Sequence, residues 1–121
     1  MADILVIEDH AVTRNLIVRI LTAARHRVTE AKGGTEGLAA FRRARPALII
    51  TDIVMADGEG IETIREMHRE APAIPILAVS GWGASYLRTA KLLGASATIE
   101  KPFDSDELLA IVGDLLAQGF G

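Results

Sequence analysis

The run ALIIT at residues 47–51 is apolar or β-branched at every position and stops on Asp52. A strand without a polar face must be covered on both sides, a situation met almost only in parallel sheets flanked by helices. Three further apolar runs have the same form. ILVI at 4–7 ends on Glu8-Asp9, IPILAV at 74–79 ends on Ser80, and ATIE at 97–100 ends on Lys101. Neighbouring parallel strands place their carboxyl ends on one edge, where open α/β sheets hold their ligand crevice. Three carboxylates, a hydroxyl and an ammonium are therefore expected in a single pocket.

Between these runs the apolar spacing changes to that of amphipathic helices. Leu16, Ile17, Ile20, Leu21 and Ala24 form one stripe, with Arg14, Arg19 and Arg25 off it. Residues 27–31 carry Val28 and Thr29 and read as a charged strand at a sheet edge. Gly33-Gly34 then leads into a helix over residues 35–44, ended by Pro46. Ile61, Ile64, Met67 and Ala71 mark a third helix, and Leu87, Ala90 and Leu93 a fourth, closed by Gly94 in a left-handed position. Asp104 and Glu107 start the last helix as a capping box, and its inner stripe is Leu108, Ile111, Val112, Leu115 and Leu116. Right-handed crossovers join these five βα units into one doubly wound, five-stranded parallel sheet with five helices, in flavodoxin-like order. Residues 1–121 are expected to be a single domain with no output module.

Half of the residues are apolar but only 4% are aromatic, so the core must be aliphatic. A net charge of −3 lacks the basic excess that phosphate-backbone binding needs, which argues against direct nucleic-acid contact. No apolar run approaches the roughly 20 residues of a membrane span. The absence of cysteine suits a reducing cytoplasm and removes thiolate metal sites.

Each pocket residue also has a plain structural reading. Glu8-Asp9 would favour the start of a helix by charge, Ser80 suits a loop, and Lys101 suits a snorkelling surface position. Asp52 resists such a reading, because unpaired carboxylates are seldom set against a core. Only a shared strand edge lifts the other three above it. His10, His26 and His68 lack ligand spacing and are expected to face solvent, with His10 set apart by its place beside the acidic pair. Arg42, Arg43 and Arg45 read as a solvated helix end.

Taken in order, Glu8-Asp9, Asp52 within TDIVMADG, Ser80-Gly81 and Lys101-Pro102-Phe103 make the chain similar to the receiver domain of two-component response regulators, of the single-domain chemotaxis type. The resemblance implies that Asp52 is the phosphoryl acceptor, Asp9 a direct Mg²⁺ ligand and Glu8 a ligand through water. It further implies that Ser80 and Lys101 hold the phosphoryl oxygens, and that the Lys101-Pro102 bond is cis. Physical chemistry fits these assignments. Two carboxylates about 4 Å apart repel by roughly 4 kcal/mol at an effective dielectric of 20, so cations must join them. Mg²⁺ takes hard oxygen donors and keeps several waters, which matches Asp9, Asp52, a backbone carbonyl such as that of Val54, and solvent. Ionised Asp52 can then attack a phosphoryl group in line.

The chain departs from the family pattern at Thr98, where receivers usually carry Tyr or Phe. Trp82 and Tyr86 are the large aromatics placed to take over the switch with Ser80. Val54 and Trp82, both apolar, would flank the pocket mouth and hinder hydrolysis of the acyl phosphate, giving slow dephosphorylation. Ala56 stands where the family often has Pro. The implied partners are a histidine kinase or histidine phosphotransfer protein and a downstream protein target, with the receiver a monomer or weak dimer. Two alternatives stay open: a receiver-like scaffold that never takes phosphate, and a receiver excised from a longer hybrid kinase or regulator. An aspartyl phosphatase is disfavoured because Ile53-Val54-Met55 follows Asp52, and a flavodoxin because Glu8-Asp9-His10 replaces a hydroxyl-rich phosphate loop.

Overall fold

The computed structural model describes residues 1–55, 60–81 and 84–118, with residues 84–87 as backbone only. Ten elements alternate along the chain: β1 (Asp3–Ile7), α1 (Ala11–Ala23), β2 (Arg27–Ala31), α2 (Gly34–Arg43), β3 (Leu48–Asp52), α3 (Gly60–Glu70), β4 (Ile76–Ser80), α4 (Ala84–Leu92), β5 (Ala97–Glu100) and α5 (Ser105–Gln118). All strand pairings are parallel and the order is β2-β1-β3-β4-β5. The expected doubly wound, flavodoxin-like sheet is therefore the observed one, with β3 at its centre and β2 at an edge.

Alternation along the strands divides the core into two layers. Leu5, Ile7, Ile49, Ile76 and Ala78 face α2, α3 and α4, where they meet Phe41, Ile64, Met67 and Ala90. Ile4, Val6, Leu48, Ile50, Leu77, Val79 and Ile99 face the other way, against Ile17 and Leu21 of α1 and Leu108, Val112 and Leu115 of α5. β3 is buried at every position, as its unbroken apolar sequence requires.

Several boundaries and facings differ from expectation. β3 and β4 each run one residue further, so Asp52 and Ser80 are the last residues of their strands and inherit the rigidity of the sheet. Ile74 and Pro75 precede β4, and the Pro75 carbonyl accepts from the Ile49 N–H. α2 begins at Gly34 and stops at Arg43, because Ala44 turns to extended backbone. On α1, Leu16 is 48% exposed, since the helix presents Ile17 and Leu21 to the sheet. Arg14 leaves solvent instead and is only 11% exposed. His26 and His68 are partly buried rather than solvated: the His26 Nδ1 accepts from the Ala2 N–H at 3.2 Å, and the His68 ring lies against Gly94.

Two glycines are demanded by the packing. Gly94 has φ +124°, and a Cβ there would fall 2.4 Å from His68 Cγ. At Gly60 a Cβ would lie 1.9 Å from the Ile53 carbonyl oxygen, so the start of α3 can approach β3 only without a side chain. At the start of α5 the Glu107 N–H donates to Asp104 Oδ1 at 2.8 Å, the Asp104 half of the expected capping box. Among the described residues no helix is long and apolar enough to cross a membrane. The expectations for Ala56, Asp57-Gly58, Trp82, the Tyr86 side chain and the 119–121 tail fall outside the described residues.

Candidate functional site

At the carboxyl edge of the sheet the acid-ended strands β1 and β3 lie side by side, with Ile7 opposite Thr51. Glu8 and Asp52 therefore leave the sheet together, and burial leaves them only 1% and 3% exposed. Lys101, just beyond β5, reaches across to both: its Nζ stands 2.9 Å from Glu8 Oε1 and 2.8 Å from Asp52 Oδ2. These residues are 93 and 49 positions away from Lys101 in sequence. Its backbone N–H donates to the Ser80 carbonyl at 2.8 Å, and the Lys101-Pro102 peptide bond is cis.

Ser80 is fully buried at the end of β4, one residue beyond Val79, the partner of Asp52 in the sheet register. Asp9 is half-buried beside Glu8. Val54 is 39% exposed, and its N–H donates to Asp52 Oδ1 at 3.2 Å, which fixes that carboxylate. Thr98, on β5 opposite Ala78, is half-buried and lies on the sheet face covered by α4.

Two residues join the site that the sequence reading had set aside. The His10 Nδ1 is 3.1 Å from Asp9 Oδ1 and 3.4 Å from Glu8 Oε2, and the His10 N–H donates to Glu8 Oε2 at 3.2 Å. Arg14 donates to the Glu8 carbonyl oxygen at 2.9 Å and to Glu30 Oε1 at 3.3 Å, so it braces the chain as it leaves β1. Its signal was available: a helical side chain leans toward the N-terminus of its helix, so a residue in the first turn of α1 overhangs the preceding loop.

The electrostatics follow from this crowding. Burial raises the Glu8 carboxyl above its ordinary 4.5, and the neighbouring Asp52 adds to the rise; the Lys101 ammonium and the His10 N–H pull the other way. Burial pushes the Lys101 ammonium down, but its hydrogen bonds to Asp52 and Glu8 outweigh burial and hold it above 10.5. Lys101 pairs with Glu8 and Asp52 while Asp9 stands beside them, so negative charge exceeds positive and the pocket favours a further cation. Glu8, Asp9, His10 and Asp52 each offer one ligand atom, and those atoms lie within 4.8 Å of one another. Mainly hard oxygen donors at that spacing fit a small divalent ion.

A doubly wound α/β sheet whose strand ends gather acids around one lysine defines a class of phosphate-handling switch proteins. The family model of the response regulator receiver domain matches residues 4–113, and the chain belongs to that family. It is 29% identical to the protein PilH of Pseudomonas aeruginosa, over 97% of this chain and 99% of PilH. The probable transcriptional regulatory protein TcrX of Mycobacterium tuberculosis is 28% identical over 93% of this chain, which spans 49% of TcrX. The chain likewise spans about half the length of other curated relatives that it matches. Among solved structures, a CheY-like receiver domain protein from Methanospirillum hungatei superposes with a TM-score of 0.93 at 26% identity, covering 98% of this chain and 96% of that one. This protein is thus a receiver of the response regulator class, a signalling fold of two-component systems. Receivers of this family bind Mg²⁺ at an acidic pocket, and the acidic cluster stands at the corresponding strand ends.

Proposed function

We propose that residues 1–121 act as one receiver unit that accepts a phosphoryl group on Asp52 from a phosphohistidine of a histidine kinase or histidine phosphotransfer protein. The ion pair of Lys101 with both Glu8 and Asp52, at 2.9 and 2.8 Å, is the observation that carries this reading. An Asp52 oxygen attacks phosphorus as the nitrogen–phosphorus bond of the donor breaks; the donor leaves as imidazole, and Asp52 becomes an acyl phosphate. The Val54 N–H on Oδ1 and the Lys101 ammonium on Oδ2 hold the carboxylate in one orientation, so positioning is in place before the donor arrives.

Mg²⁺ would be held by Asp9, Asp52 and the Val54 carbonyl, with Glu8 acting through water, and would neutralise charge on the transferred group. Once Asp52 is an acyl phosphate, Lys101 and the Ser80 hydroxyl take the phosphoryl oxygens, and Lys101 loosens from Glu8. Ser80, Thr98 and Trp82 carry that change outward, where it alters binding to a downstream protein target.

Incubation with Mg²⁺ and acetyl phosphate, followed by intact mass, tests the proposal. The expected result is one added phosphoryl group, absent in Asp52→Asn and reduced on the order of a hundredfold in rate in Lys101→Ala. Equal labelling of Asp52→Asn would overturn it, and an unlabelled parent chain would favour the scaffold alternative.

A further inference from the structure

His10 is the one nitrogen donor among the described members of the acidic cluster. It is the N-cap residue of α1 yet makes no side-chain capping bond, and its ring is 69% exposed. Nothing in the helix or the core therefore requires imidazole here. The ring nevertheless turns toward the pocket, with Nδ1 at 3.1 Å from Asp9 Oδ1 and 3.4 Å from Glu8 Oε2. Donors bound about 2.0–2.1 Å from one ion stand ~3.0 Å apart in an octahedron and ~3.4 Å apart in a tetrahedron. The His10–Asp9 contact of 3.1 Å matches an octahedral edge, while the 3.4 Å contact with Glu8, a ligand through water, orients the ring toward the pocket.

We propose that His10 supplies an imidazole nitrogen to the divalent ion of the receiver pocket, shifting its preference from Mg²⁺ toward first-row transition cations such as Co²⁺, Mn²⁺ or Zn²⁺. The inference rests on the acidic pocket being a metal site, as the proposed function holds. Imidazole adds little to Mg²⁺, which prefers hard oxygen and retained water, but it strengthens binding of the borderline ions. Any carboxylate site favours Co²⁺ over Mg²⁺ to some degree, so the diagnostic quantity is how that preference changes when the ring is removed. Ring exposure helps here, because an imidazole at the rim can turn into the coordination shell without opening the core.

The test compares the parent chain with His10→Phe, which keeps a ring and removes the donor, and with Asp52→Asn, using calorimetric titration with Co²⁺ and with Mg²⁺. His10→Phe should weaken Co²⁺ on the order of tenfold or more and leave Mg²⁺ within about twofold. With Mn²⁺ bound, the electron spin echo of the parent should show nitrogen modulation that is absent in His10→Phe. Equal effects on both ions, or no nitrogen modulation in the parent, would overturn the inference. If Asp52→Asn abolishes binding of both ions while His10→Phe alters neither, the inference fails and the acidic metal site stands. If the parent binds no divalent ion, both readings fail. Circular dichroism of each variant confirms that the comparison is made between folded chains.

Discussion

Two groups of charges lie on this receiver, and they obey different physics. On the α2–α3 surface, Arg42 pairs with Glu66 and Glu70, Arg69 with Glu66, and Arg45 with Glu70 at 3.6 Å while stacking 4.3 Å over Phe41. There three arginines face two partly exposed glutamates, and no further ion is wanted. At the strand ends Glu8, Asp9 and Asp52 face one lysine, and two of the three acids are almost wholly buried. Similar pairs of side chains thus make a solvated brace in one place and an unbalanced cup in the other. Burial and charge count, rather than the number of ion pairs, decide which cluster can do chemistry.

The largest test of this contrast is Lys101→Met in metal-free protein. Removing the ammonium leaves Glu8 and Asp52 facing each other in a low-dielectric pocket. Urea unfolding should show a loss of about 2 kcal/mol, below the range for fully buried pairs because the lysine is partly exposed. Asp52→Asn should act with the opposite sign. It removes one of the crowded negative charges and should stabilise the metal-free chain by about 1 kcal/mol, while abolishing the rise in thermal midpoint expected of the parent on adding Mg²⁺. A destabilised Asp52→Asn protein would show that the acids are not in net repulsion. Arg42→Ala should have the smallest effect, a slight fall in midpoint that vanishes at high salt. Arg42 holds the Glu70 carboxyl below its ordinary 4.5, so what it contributes is present above that pH and fades on acidification. A loss from Arg42→Ala as large as that from Lys101→Met would break the comparison.

Much of this could be read before the fold was seen, for a physical reason. β3 has no polar face, which demands a covered parallel sheet, and the acids, serine and lysine follow the strands whose ends form one edge. What escaped the sequence was side-chain direction. Leu16 looked like an inner residue, but a small rotation of α1 gives its place to Ile17 and turns Leu16 outward. Arg14 looked solvated, yet the lean of helical side chains toward their N-terminus carries it onto the Glu8 carbonyl. His10 was expected to face solvent, set apart only by its place beside the acidic pair; its ring is 69% exposed, yet its Nδ1 turns onto Asp9 and Glu8, a direction that periodicity does not give.

Because Lys101 follows β5, the acidic cup is unfinished until all five strands have been made and folded. A nascent receiver still holding β5 inside the ribosome would present mutually repelling acids with no ammonium between them. The charge balance of the cup is thereby tied to completion of the sheet.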